Sequence, residues 1–251
     1  MTADVAGYVL VTGASSGIGR GIAVRLAREG RLILHGRDME RLEETRKLCA
    51  GEGHLIWPFD LANVEDLPVA METFVRQNDV RVKAFVHSAG MVSVMAARTM
   101  DLAMCRQIMD VNFTSAMLLI STLLKRKVAQ STLRNVLFVS SIWSRFGARG
   151  HALYSASKGA MDSAMRALAL ELAPQVRVNS ICPGAVPSKM AQESMQDEVI
   201  AANLKDQYPL GLGTPEDVAE MAAFILSEKA RWITGQQFFV DGGRTVNMSL
   251  K

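Results

Sequence analysis

Short apolar runs rich in β-branched residues alternate along the chain with longer stretches of helical spacing. The runs Tyr8–Thr12, Leu32–His35, Leu55–Phe59, Ala84–His87, Val136–Ser140, Val176–Ile181 and Gln237–Val240 read as buried strands. Between them, Ile18–Arg28, Glu40–Ala50, Val64–Gln77, Asp101–Lys127, His151–Ala173 and Pro215–Ser227 read as helices. Strict alternation of strand and helix predicts an α/β fold: a Rossmann-type doubly wound parallel sheet of about seven strands, helices on both faces, joined by right-handed crossovers. No repeat, low-complexity tract or linker divides the chain, so residues 1–251 are expected to form a single domain. One segment breaks the rhythm. Pro183–Pro215 leaves the end of the sixth strand and is too long for a plain connection, which predicts a substrate-binding lid at about 183–215.

Composition narrows the function classes. Hydrophobic residues make up 49% and aromatics only 6% of the 251 residues, so the core is built from Ala, Val, Leu, Ile and Met packed on a sheet. The formal charge is +3, with basic residues scattered, and nucleic acid is not expected as a partner. The compact run Lys125-Arg126-Lys127 ends a predicted helix and reads as a solvated helix end. Cys49, Cys105 and Cys182 are far apart and odd in number, which points to a reducing cytoplasm and to no metal site. Met1-Thr2-Ala3-Asp4 carries no basic leader, and no other stretch approaches a membrane span, so no membrane association is expected.

The chemistry begins at Thr12-Gly13-Ala14-Ser15-Ser16-Gly17-Ile18-Gly19, directly after the first strand and opening the first helix. Glycines there let the backbone approach a pyrophosphate while the helix N-terminus offers free N–H groups, and Ser15 and Ser16 add hydroxyl donors. The spacing is neither G-x-G-x-x-G nor a P-loop. It resembles the glycine motif of the short-chain dehydrogenase/reductase family. At the end of the second strand stands His35-Gly36-Arg37-Asp38, where a carboxylate would favour NAD; Arg37 can instead pair with a 2′-phosphate, and Gly36 leaves room for it. Within the resemblance, Gly-Arg here implies NADP(H) as the preferred cofactor, with NAD(H) as the alternative; a purely local reading pairs Arg37 with Asp38.

Further motifs carry the resemblance across essentially the whole chain. Asp60-Leu61 matches the family's adenine-binding pair, although Asp60 alone reads equally as a helix N-cap. His87-Ser88-Ala89-Gly90 stands where the family typically has Asn-Asn-Ala-Gly; Ser88, Ala89 and Gly90 are expected near the cofactor ribose, and His87 as a packed strand-end residue. Tyr154 and Lys158 are four apart on one helix, one face, where an ammonium would lower the phenol pKa. Ser141 ends the fifth strand upstream, and Ser140 beside it is expected to bond nearby backbone. The family places Asn, Ser, Tyr and Lys at the positions of Asn112, Ser141, Tyr154 and Lys158. These imply a catalytic set in which Ser141 holds the carbonyl, Tyr154 exchanges its proton, Lys158 tunes Tyr154 and binds ribose, and Asn112 positions a water. Pro183, Gly184, Val186 and Ser188 match the segment that holds the nicotinamide carboxamide, with Ser in place of Thr.

The resemblance implies hydride transfer between a nicotinamide and a carbonyl or alcohol carbon. Tyr208–Ala219 is similar to the matching stretch of 3-oxoacyl-acyl-carrier-protein reductases, one residue shorter near Gly211. The substrate is therefore a small carbonyl or alcohol compound: an acyl thioester, or another ketone or alcohol such as a sugar, steroid or secondary metabolite. A non-catalytic NADP-binding regulator is the reading from a different class. Trp143, Arg145, Met190 and Met195 flank Ser141 or fall in the lid and read either as substrate lining or as packing. Members of the family are commonly dimers or tetramers, and the apolar faces of Met104–Leu124 and Met161–Leu172 offer an interface or simply cover the sheet.

Overall fold

A computed structural model describes residues 7–129, 132–187 and 206–247. Seven strands form one parallel sheet: β1 (Tyr8–Thr12), β2 (Leu32–Gly36), β3 (Leu55–Pro58), β4 (Val82–His87), β5 (Asn135–Val139), β6 (Arg177–Pro183) and β7 (Gln237–Val240). Their order is β3-β2-β1-β4-β5-β6-β7, all parallel, as the alternation predicts. The order reverses between β1 and β4, where Thr12 lies beside His87, and the carboxyl ends of these two strands open a crevice.

Alternate side chains of the buried strands feed two cores, one on each face. On one face Leu10, Ile33, Phe85, Val136 and Phe138 pack beneath α3 (Leu67–Gln77), α5 (Ser115–Leu124) and α7 (Ala152–Leu172). On the other, Val11, Leu34, Val86 and Leu137 pack beneath α1 (Gly17–Leu26), α2 (Met39–Leu48) and α8 (Pro215–Leu226). The chain forms a single domain, and at the start of α8 Thr214 and Asp217 form a reciprocal capping box.

Several expectations are corrected. The predicted helix Asp101–Lys127 is three pieces: α4 (Leu102–Met109), a π-helical turn Asp110–Thr114, and α5, followed by the short α6 (Arg126–Ala129). Hydrophobic spacing runs unbroken through the π turn, so the pattern conceals the one extra residue that it inserts. Helix α3 begins at Leu67 rather than Val64 because Asn63 and Asp66 close a polar turn first and Pro68 suits only a first helical turn. Lys125 is not merely solvated; its ammonium bonds Glu72 on α3 at 2.8 Å. Leu102–Leu124, as one continuous helical path of 23 residues with mean hydropathy 1.3, does reach the length and apolarity of a span. Its buried residues Ile108, Ala116, Leu119, Ile120 and Leu123 serve the core, and Asn112 on the same path is fully buried at the crevice. It is a core helix.

Candidate active site

A cleft of about 550 Å³ runs along the carboxyl edge of β1, β2, β4 and β5. At one end the chain leaves β1 through Gly13, at φ +72°, where a Cβ would lie 2.8 Å from the Ala89 backbone; only glycine fits. Ala14 N–H donates to the His35 carbonyl, and Ser16, in extended conformation, caps α1 without spending its hydroxyl on the helix. The unpaired N–H groups of the first turn are thereby left available to an anion. Gly13, Ser15, Ser16, Gly17, Ile18 and Gly19 all line the cleft.

The β2–β3 end of the cleft is open and charged. Arg37 does not pair with Asp38; its guanidinium faces Asp60 at 3.7 Å, with both side chains largely exposed (75% and 49%). Asp38 instead caps α2 by accepting from Arg41 N–H. Asp60 is not the cap of α3; its carboxylate accepts from Ala62 N–H in a local turn beside Leu61. Arg37, Asp60 and Leu61 line the cleft together with Arg41 and His35. The His35 imidazole is buried against Trp57, neither nitrogen has a hydrogen-bond partner among the described residues, and burial pushes its pKa down to about 4.

The β4–β5 end is buried. Ser88, Ala89, Gly90, Ser140, Tyr154 and Lys158 line it. Lys158 is 3% exposed and donates to the Val139 carbonyl at 2.9 Å, and burial lowers its pKa to about 8. Its ammonium lies 5.8 Å from the Tyr154 ring centroid. The expected lowering of the phenol pKa is not found: burial raises it, against a hydrogen-bonding interaction with the Ser141 hydroxyl that works to lower it. The outcome is a phenol held neutral, with its proton in place. Ser141 also accepts from Trp143 N–H, which orients its hydroxyl at the end of β5.

Asn112 sits at the π turn, fully buried. Its Oδ1 accepts from Met91 N–H (2.8 Å), while its Nδ2 donates to the Met91 carbonyl and to Ser157 Oγ, both at 2.9 Å. Both amide protons are therefore spent on fixing the segment after β4. A Cβ at Gly90 would lie 3.4 Å from both Asn112 Oδ1 and Lys158 Nζ, so the glycine keeps open the space that those two groups share. His87 is a packed strand-end residue: Nδ1 meets Thr12 Oγ1 at 3.1 Å, Nε2 is buried without a partner among the described residues, and burial pushes its pKa down to about 3.

Not every expected residue reaches the cleft. Asn112 and Ser141 stand behind its lining, reaching it through Met91 and Tyr154. Pro183, Gly184 and Val186 lie outside the lining: Gly184 N–H completes the β6–β7 pairing by donating to Val240 O, and Val186 belongs to the α1/α8 core. Ser188, Met190 and Met195 lie outside the described residues. Trp143 is half-buried and outside the cleft lining, with its ring 6.2 Å from that of His151. The Ser140 hydroxyl does not bond backbone; it donates to the buried carboxylate of Asp162 at 2.8 Å. Sequence reasoning missed Asp162, Ser157 and Tyr208. Asp162 continues the four-residue spacing of Tyr154 and Lys158, the one signal that was available. The Tyr208 hydroxyl accepts from Ala185 N–H and its ring fills the space beside Gly184, a contact made across sequence that no local pattern marks.

A family model described as Enoyl-(Acyl carrier protein) reductase matches residues 13–245. The chain is 34% identical over 241 residues to an uncharacterized oxidoreductase, YmfI, of Bacillus subtilis, covering 93% of this chain and 97% of that protein. It is 32% identical over 248 residues to a cyclopentanol dehydrogenase of Comamonas, covering 95% and 97% respectively. Among solved structures, a protein of Beutenbergia cavernae described as an NAD(P)-dependent gluconate 5-dehydrogenase, with NADP bound at low occupancy, superposes with a TM-score of 0.88 at 32% identity, covering 96% and 97% of the two chains. A glycine turn at the β1/β4 crevice, a Ser-Tyr-Lys group at the ends of β5 and α7, and a match that spans nearly the whole fold place this chain in the short-chain dehydrogenase/reductase family of oxidoreductases.

Proposed function

We propose that the protein is an NADP(H)-dependent oxidoreductase that interconverts a ketone and a secondary alcohol, with Tyr154 as the proton donor to the carbonyl oxygen. The observation that carries this reading is that Tyr154 and Lys158 line the closed end of a cleft, with the Ser141 hydroxyl against Tyr154 just behind the lining, and that its other end is a helix N-terminus beside Arg37. The residues fit the cofactor: the turn at Gly13 leaves free N–H groups for a pyrophosphate, and Arg37 offers a forked cation for a 2′-phosphate. The bound NADP of the Beutenbergia protein supports the same choice over NAD(H).

When bound, the nicotinamide supplies the hydride for reduction or accepts it in oxidation. The chain supplies the rest. Ser141 hydrogen-bonds the carbonyl oxygen, and Tyr154, protonated at rest, gives up its proton as negative charge develops there. Lys158 bonds the ribose and stabilises the phenolate left behind. Asn112 Oδ1 faces the space beside Lys158 and positions a water for reprotonation. The family resemblance assigns the carboxamide to the sequence segment of Pro183, Gly184, Val186 and Ser188, and specificity to the connection Pro183–Pro215.

For the substrate, a 3-oxoacyl thioester is the first choice on the strength of Tyr208–Ala219. A small alcohol is the second, favoured by the similarity to the cyclopentanol dehydrogenase. Turnover measured with acetoacetyl thioesters, cyclopentanone and sugar-acid ketones, each with NADPH and NADH, separates these; activity confined to cyclopentanone removes the first, and no turnover of any compound supports a regulator. A homo-oligomer, dimer or tetramer, is proposed on family grounds and from exposed apolar side chains such as Leu170 and Trp232, at 84% and 91% exposure. A monomeric hydrodynamic mass refutes it. Three free cysteines suit a reducing cytoplasm.

A further inference from the structure

The buried face of α7 carries a third polar group beyond the catalytic pair. Tyr154, Lys158 and Asp162 recur every four residues, so they stack along one side of the helix. Asp162 is 3% exposed. Its Oδ2 accepts from Ser140 Oγ at 2.8 Å and lies 3.9 Å from Cys182 Sγ, and its Oδ1 has no partner among the described residues. An anion in apolar surroundings with one close donor is costly, and so is the Lys158 ammonium with one carbonyl. The two stand one turn apart on the same side of α7, beyond direct ion-pair contact, and the carboxylate favours the ammonium across that separation. The three consecutive residues at the end of β5 divide between them: Val139 carbonyl receives Lys158, the Ser140 hydroxyl holds Asp162, and Ser141 faces Tyr154.

We propose that Asp162 is a positioning residue for the catalytic pair: its buried carboxylate is the counter-charge that keeps Lys158 an ammonium, and through Ser140 it fixes the strand end that presents Ser141. The inference rests on the assignment of Lys158 and Tyr154 above and adds a residue to it. Its electrostatic part agrees with the surroundings of Lys158. Burial lowers the Lys158 pKa to about 8, and Asp162 is the leading influence in the opposite direction. The other titratable groups that bear on Lys158 are Tyr154 on α7, Cys182 on β6, whose thiol is pushed up to about 11 by burial, and His87 on β4, which stays neutral. The π turn and the segment after β5 present an amide and hydroxyls, Asn112, Ser141 and Ser144. Among the described residues, Asp162 is therefore the carboxylate that the fold sets one helical turn from this cation.

The test is the pH dependence of NADPH affinity, read by cofactor fluorescence, since it needs no substrate. In the wild type, affinity weakens as pH rises through about 8, where Lys158 loses its charge. In Asp162→Asn the weakening begins about one pH unit lower, and the alkaline limb of cyclopentanone or acetoacetyl thioester reduction moves down with it. Asp162→Glu, which keeps the charge, restores the wild-type limb. Should Asp162→Asn fail to fold, the double variant Ser140→Ala/Asp162→Leu replaces both polar partners by apolar groups, a change that cores tolerate, and the same downward shift is expected. A folded variant whose affinity profile keeps the wild-type limb, or that loses affinity equally at every pH, overturns the proposal. A wild-type protein that binds NADPH with this profile but reduces no carbonyl counts against the catalytic assignment and not against the pairing.

Discussion

The two ends of the cleft hold charge in opposite ways. At the β2–β3 end Arg37 and Asp60 face each other directly at 3.7 Å with both side chains exposed to solvent, so their attraction is weak and either side chain is free to turn to a ligand. At the β4–β5 end Lys158 and Asp162 are each 3% exposed, where an unpaired charge is expensive and every proton matters. An exposed end suits recognition, since binding a phosphate costs little rearrangement. A buried end suits chemistry, because a dry site strengthens each electrostatic interaction on the reacting oxygen. This division assigns selection of the 2′-phosphate to the exposed end, and turnover together with the ribose contact of Lys158 to the buried end.

The largest effect is expected where the buried end is deprived of its proton. Tyr154→Phe lowers kcat by about 10³-fold or more while NADPH affinity, measured by fluorescence titration, stays within a few-fold. Lys158→Met comes next, with a gain opposed to its loss. Turnover falls by at least about 10²-fold, but removing a cation held at a pKa of about 8 against 10.5 stabilises the fold by on the order of 3 kcal/mol at neutral pH. The sign follows from linkage: below pH 8 the folded state carries a charge that burial disfavours, so the gain is full there and shrinks as pH rises from 8 to 10.5. Urea midpoints at pH 7 and pH 10 check it; a variant no more stable at pH 7 than the wild type contradicts it.

At the exposed end, Arg37→Ala raises KM for NADPH by about 10-fold or more, the size of one charge-assisted contact, and leaves KM for NADH and both kcat values near wild type. Equal losses for the two cofactors break the assignment of Arg37 to the 2′-phosphate. The smallest effect concerns the strand ends between. His35 and His87 are buried neutral with pKa values of about 4 and 3, so the unfolded chain takes up protons below pH 6.5 that the folded protein refuses. Stability is therefore lost as pH falls from 6.5 toward 4. His87→Asn flattens this slope by about one proton, measurable as a smaller shift of the urea midpoint between pH 7 and pH 5.

Much of this arrangement is written in local sequence. The glycine turn is legible because strand, turn and helix N-terminus are contiguous, and Tyr154 and Lys158 because a helix repeats every four residues. β1 and β7 begin and end at the residues that their apolar runs mark. What depends on contacts across the sequence is not legible. The π turn at Asn112 disappears inside an unbroken apolar pattern. The partner of Ser140 lies 22 residues away on another element, so a hydroxyl expected to bond backbone meets a buried carboxylate instead. The direction of the Tyr154 shift is hidden for the same reason: spacing places an ammonium nearby, but only packing tells how much water is lost.

Parallel determination of NADPH dissociation constant and kcat for Tyr154→Phe and Arg37→Ala tests the division of labour most directly. The predicted result is two perpendicular losses, with Tyr154→Phe inactive but binding NADPH normally and Arg37→Ala binding it about 10-fold more weakly with near-normal kcat. Retained turnover in Tyr154→Phe, or wild-type NADPH affinity in Arg37→Ala, contradicts the account.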